Sequence, residues 1–251
     1  MSDAAQLARP SVLKDADIQR FYRQGFLVFP SLLNSNICNT LCREIDHFED
    51  NRLVLAAAMP AHAALVSFPP ILAIARDLMG GTDFGFHHLH TARHAAGTPD
   101  LAWHHDYEQY PQVDRKFTML HFFMYLTGLN GTIGDLLTIP GSQTSVMDRY
   151  VHSHAGTVDL PGTTVIDNLP AGSVVAIHSA LLHARRAKPG GEGRPRYFTD
   201  CSYCQDGTVW PSYLERGNWR ETMAYLKAQE EKRGGHGAFL FDQSRFKDVA
   251  R

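Results

Sequence analysis

The hydrophobic and polar positions of the chain change period near residue 81. Before that point the spacing is helical. Residues 15–24 predict a short helix stopped by Gly25, and 26–30 is an apolar run suited to a strand. Ile37, Cys38, Leu41, Cys42, Ile45 and Phe48 recur at three- and four-residue steps behind Ser35, which reads as the N-cap. Pro70 opens a further helix over 71–79 that Gly80-Gly81 closes, the usual placing of proline and glycine at helix ends.

After Gly81 the apolar runs are short and rich in aromatic and β-branched residues. Segments 84–92, 103–107, 117–126, 136–139, 163–166, 173–178 and 196–203 predict strands, separated by Pro and Gly turns. Many short strands punctuated in this way indicate a sandwich or barrel. The helical spacing returns over 219–233, with Trp219, Met223 and Leu226 on one stripe and Gly234-Gly235 as the stop. No internal repeat or linker appears. The expected organisation is one domain over 1–251, with helices over about 1–80, a β-core over about 81–205 and a helical segment over about 206–251.

Composition narrows the function classes. Lys plus Arg number 24 and Asp plus Glu 26, a net charge of −2, so a broad basic surface for nucleic acid is not expected. Hydrophobic residues make up 44% and charged residues 20%, enough apolar mass for a packed core. No apolar run reaches the roughly 18 residues of a membrane helix. The N-terminus has no apolar signal region, which gives a cytoplasmic location as the expectation. In that setting Cys38, Cys42, Cys201 and Cys204 read as reduced thiols, and the Cys201-x-x-Cys204 pair as buried rather than zinc-binding. The unusual count is 14 histidines, which raises the prospect of metal chemistry without locating it.

Trp103-His104-His105-Asp106 gives it a place. On a strand, His104 and Asp106 share one face, so a nitrogen and an oxygen can reach one metal ion. A histidine from a distant strand would complete a 2-His-1-carboxylate facial triad, the arrangement that leaves open positions on Fe(II). His-x-acid pairs alone carry little: the chain has two, about what chance provides with 14 histidines and 26 acidic residues. The other, His47-x-Glu49, lies in a helical pattern where the side chains diverge. The later run from Ser173 to His183 supplies the distant histidine, and Arg194-Pro195-Arg196 follows it with guanidinium groups able to grip a carboxylate bidentately. His178, five residues before His183, is the rival ligand, but the odd spacing aims it oppositely.

With these pieces in sequence, the chain resembles the phytanoyl-CoA dioxygenase family of Fe(II)- and 2-oxoglutarate-dependent oxygenases. The likeness rests on residues 21–29, on Trp103-His-His-Asp106, on Gly134-Asp-Leu-Leu-Thr-Ile-Pro-Gly-Ser142 followed by Gln143 where relatives have His, on Leu182-His183, and on Arg194-Pro-Arg196. It implies a double-stranded β-helix, a jelly-roll or cupin-like barrel, with His104, Asp106 and His183 binding Fe(II). It implies an arginine on the far carboxylate of 2-oxoglutarate, with O2 as the oxidant and succinate and CO2 released. Family spacing selects Arg194, whereas Arg196 begins an apolar strand and is preferred; both stay open. Asp106 stands where halogenating relatives have a small residue, so the resemblance implies hydroxylation or a related oxidation of a small-molecule substrate.

Several residues remain to be placed. If the strand continues beyond His183, Arg185 faces the pocket and adds a second positive charge; otherwise it is a solvated loop arginine. The resemblance puts Phe123 beside the cosubstrate. His121 and Tyr125 share its parity, and His88 and His90 share a face on the preceding strand, all as candidate pocket residues against the alternative of plain packing. Two other function classes fit the metal pattern: a cupin-type metalloenzyme, isomerase or cosubstrate-free dioxygenase, and a catalytically silent metal-binding relative.

Overall fold

The computed structural model describes residues 11–50, 56–95, 97–108, 115–187, 194–210, 219–242, 244 and 247–248. In the N-terminal part, α1 (Asp15–Gln24) ends at Gly25, whose left-handed φ of 84° lets its N–H close on Phe21 O. Strand β1 (Phe26–Phe29) follows, then α2 (Ser35–Asp50), α3 (Pro60–Val66) and α4 (Pro69–Leu78). Two details differ from the sequence reading. The cap of α2 is Asn34 and not Ser35, because the Asn34 side-chain oxygen accepts from Ile37 N at 3.0 Å. Helix α3, too short for a clear apolar stripe, was not anticipated.

The strands are β2 (Phe84–His94), β3 (Leu101–His104), β4 (Met119–Tyr125), β5 (Leu129–Asn130), β6 (Asp135–Thr138), β7 (Thr164–Ile166), β8 (Asn168–Leu169), β9 (Ser173–His178), β10 (His183–Arg186), β11 (Arg196–Gln205) and β12 (Val209–Trp210). Helix α5 (Trp219–Lys232) and the short strand β13 (Lys247–Asp248) complete the order, β13 pairing parallel with β12. Two sheets form the body, one ordered β1-β9-β4-β11-β2 and the other β3-β10-β6-β7. This is the jelly-roll, double-stranded β-helix class that the family resemblance implies, and it agrees with the sandwich or barrel expected from the punctuated strand pattern.

Strand β4 shows how the sequence builds the layers. All seven of its residues are buried, since it lies centrally and both faces are covered. Leu120, Phe122 and Met124 point outward into the core formed with the helices, where Leu41, Ile45, Ile71 and Leu78 meet them. His121, Phe123 and Tyr125 point the other way, into a cavity of about 730 Å³ between the two sheets. The polar residues of the β4 sequence therefore mark the inside of the sandwich, not its solvent face. Tyr203, on the outward face of β11, anchors the helical layer by donating its hydroxyl to Val66 O at 2.7 Å.

Gly134 fixes the approach of the two strands beneath the cavity. Its φ is 110°, and a Cβ there would lie 2.6 Å from Arg186 O and 3.4 Å from Arg196 Nη1. Any side chain would push β6 away from β10, which explains glycine at this point of the Gly-x-Leu run.

Candidate metal and ligand site

Strands β3 and β10 pair with His104 opposite His183. Their imidazole centroids are 4.3 Å apart. The strand ends at His104, so Asp106 is not placed by strand alternation as the sequence reading supposed. Backbone bonds outside the sheet hold the loop instead: Asp106 N donates to Ser179 O at 2.7 Å and His105 N to Arg149 O at 3.1 Å. The carboxylate still arrives between the rings, with Oδ1 3.6 Å from His104 Nε2 and Oδ2 3.2 Å from His183 Nε2.

The far nitrogens anchor the two rings. His104 Nδ1 lies 2.7 Å from Ala102 O and His183 Nδ1 3.0 Å from Leu181 O. A carbonyl only accepts, so each Nδ1 donates there and each Nε2 is turned toward Asp106, the anchoring of the far ring nitrogen that orients metal-binding histidines. Burial and then the neighbouring His183 lower the pKa of His104 to about 4, which keeps it neutral at pH 7. Burial alone would raise the Asp106 carboxyl, but the bond to His183 and the surrounding histidines hold it well below the usual carboxylate range. Two imidazoles and one carboxylate fit a divalent transition metal.

Arg149 was not singled out in the sequence. Its Nη2 donates to Asp106 Oδ1 at 2.9 Å and its Nη1 to Glu108 Oε1 at 3.2 Å, so it steadies the carboxylate from behind. It sits in an irregular loop, where no periodicity signals direction.

The same cavity is lined by Arg196, only 4% exposed. Among the described residues no carboxylate lies within ion-pair distance of it, and its Nε has no hydrogen-bond partner. Burial and then Arg185 are offset only in part, and its pKa falls to about 10, so it remains a cation at neutral pH. The sequence left Arg194 and Arg196 open; the structure puts Arg196 in the cavity wall, while Arg194 is exposed before β11 begins. Strand β10 does continue past His183, and Arg185 lines the same cavity, with its Nη2 given to Pro99 O at 2.8 Å. His94 lies between these arginines, and burial together with their charges lowers it to about 3.

Residues 21–194 match one family description, phytanoyl-CoA dioxygenase. The chain belongs to the phytanoyl-CoA dioxygenase family. No curated protein sequence matches it. Solved structures of similar fold include the non-haem α-ketoglutarate-dependent carbocyclase SnoK from nogalamycin biosynthesis (TM-score 0.66, 18% identity, covering 84% of this chain and 91% of that one). HygX from Streptomyces hygroscopicus, solved with nickel and 2-oxoglutarate, aligns at TM-score 0.65 and 19% identity over 83% of this chain and 94% of its own. EctD from S. alaskensis, with 2-oxoglutarate and 5-hydroxyectoine, aligns at 0.65 and 15% over 79% and 78%.

In this phytanoyl-CoA dioxygenase family member the remaining sequence candidates fall as follows. Phe123, Tyr125, His88, His90 and His121 all line the cavity, and the Phe123 ring lies 5.4 Å from that of His183. His105 is turned away, its Nε2 3.1 Å from Met147 O. His178 is buried outside the cavity lining, stacked on Tyr107 at 6.0 Å. All four cysteines are free, and Cys201 and Cys204 are buried. Among the described residues no helix is long and apolar enough to cross a membrane.

Proposed function

We propose that this protein is an oxygenase that uses Fe(II), 2-oxoglutarate and O2 to hydroxylate a small molecule, with release of succinate and CO2. The observation that carries the reading is Arg196: a buried guanidinium in the same cavity as the His104–Asp106–His183 group, with His94 Nδ1 at 3.4 Å but no carboxylate within ion-pair distance among the described residues. A buried charge without a counter-ion is costly, and a dicarboxylate that reaches from the metal to Arg196 lowers that cost. A cosubstrate-free cupin-type enzyme would need the metal group but not this arginine.

In this reading His104 and His183 offer Nε2 to the iron and Asp106 offers an anionic oxygen, with Arg149 holding the carboxylate in place. Arg196 takes the far carboxylate of 2-oxoglutarate bidentately, and Arg185 adds a second positive charge beside it. Phe123 and Tyr125 wall the keto acid. Iron carrying 2-oxoglutarate supplies the oxygen activation that turns the keto acid into succinate and CO2 and oxidises the substrate. Asp106 occupies the third protein position, which favours hydroxylation over halogenation. The remaining wall, with His88, His90, Glu108 and Tyr150, is polar and suits a hydrogen-bonding small molecule better than a long acyl chain.

The test needs no substrate. Iron-loaded protein supplied with 2-oxoglutarate is expected to form succinate slowly in air and none under argon, with Asp106→Ala inactive in both. Iron retained without any succinate in air would mark a catalytically silent relative and contradict the proposal.

A further inference from the structure

Opposite the His104–Asp106–His183 group, the five-stranded sheet carries a second set of the same donors. His88 of β2, His121 of β4 and Asp200 of β11 each bring one ligand atom to within 4.8 Å of the others. Asp200 Oδ2 lies 2.8 Å from His121 Nδ1 and 3.5 Å from His88 Nε2. The three residues come from adjacent strands. Ser202 pairs with His88 on one side and His121 on the other, and Asp200 precedes it by two residues on the same strand.

The backbone is adapted at this point. Ser202 pairs with His88 and Tyr203 with Phe86, so His87 is an extra residue on β2. Such a bulge re-aims the side chains beside it. His88 is then oriented from behind, with its Nδ1 2.9 Å from Ser202 Oγ, and its Nε2 is directed to Asp200. A partner on the far ring nitrogen is what orients metal-binding histidines, as Ala102 O and Leu181 O do across the cavity. The His88 and His121 rings meet edge-on at 5.4 Å. Asp200 Oδ1, the second oxygen of the carboxylate, is buried with no hydrogen-bond partner among the described residues. Native interiors rarely leave such atoms unsatisfied unless something binds there.

We propose that His88, His121 and Asp200 form a second divalent transition-metal site in the same cavity. Two imidazoles and a carboxylate suit Zn(II), Co(II), Ni(II) or Fe(II) rather than the all-oxygen shells of Ca(II) and Mg(II). Asp200 Oδ1 then serves as a second oxygen toward the cation. All three residues line the cavity, so the open coordination positions face the space where the substrate sits, and an oxygen donor on the substrate can complete the shell. The site requires nothing of Arg196 and stands apart from the 2-oxoglutarate reading.

Equilibrium dialysis of metal-free full-length protein against Co(II), followed by metal analysis, tests it. The wild type is expected to hold two equivalents. His104→Ala/His183→Ala should keep one, and His88→Ala/His121→Ala should keep the other, its second equivalent weakened by roughly tenfold or more. His88→Ala alone, at a half-buried position, gives the same readout if the double variant does not fold. One equivalent in the wild type, or a second equivalent that survives loss of both His88 and His121, would overturn the proposal and leave the trio as a hydrogen-bonded ion pair.

Discussion

His183→Ala is expected to weaken Fe(II) binding at the His104–Asp106–His183 group by more than about 100-fold and to abolish succinate formation. Loss of an outer partner of a metal ligand alone costs roughly 10- to 100-fold, and this change removes a ligand itself. His183 also makes the nearer imidazole contact to Asp106, at 3.2 Å against 3.6 Å for His104. The informative control is His178→Ala. His178 is as buried as His183 and only five residues earlier, but it packs between Phe21 and Tyr107 outside the cavity lining. Its loss should lower stability and leave iron affinity unchanged. Iron titration of the two variants, read at equal folded fraction, separates a ligand from a neighbouring core histidine.

Arg196→Ala is expected to raise the Kd for 2-oxoglutarate roughly 30-fold or more without changing iron binding. Removing one partner of a buried hydrogen-bonded charge pair costs at least about 2 kcal/mol, which sets that factor. Arg196→Lys should recover part of the loss, because the ammonium keeps the charge but not the bidentate geometry. Arg194→Ala should have no effect, since that side chain is exposed and outside the cavity wall. Calorimetric titration of 2-oxoglutarate into the metal-loaded variants gives the comparison. A loss in Arg194→Ala with Arg196→Ala intact would reverse the assignment.

The strands were legible because Gly and Pro interrupt nearly every apolar run, and the helices of the first 80 residues because their apolar positions keep a three- and four-residue step. The site was legible where its chemistry is local. His104 and Asp106 stand two residues apart, and Arg196 opens a strand whose alternation gives it a direction. Asp200 was within reach of the same logic, since 196, 198 and 200 share parity on β11 and the first of them faces the cavity.

Arg149 and His87 were out of reach for different reasons. Arg149 meets Asp106 from a loop 43 residues away, and a loop carries no period from which direction can be read. His87 is itself the extra residue in β2, and a bulge depends on the partner strand and not on the local sequence. The placing of Asp106 carries the same lesson. Its carboxylate reaches the histidines as expected, but through backbone bonds to Ser179 and Arg149 and not through the strand itself.

The measurement closest to the central claim is an anaerobic titration of the metal-free protein with Fe(II) and then 2-oxoglutarate, followed in the visible range. A keto acid chelating iron held by His104, Asp106 and His183 should give a weak charge-transfer band that saturates at one equivalent and is missing in His183→Ala. Iron that binds with no such band, or a band that persists in His183→Ala, would contradict the account.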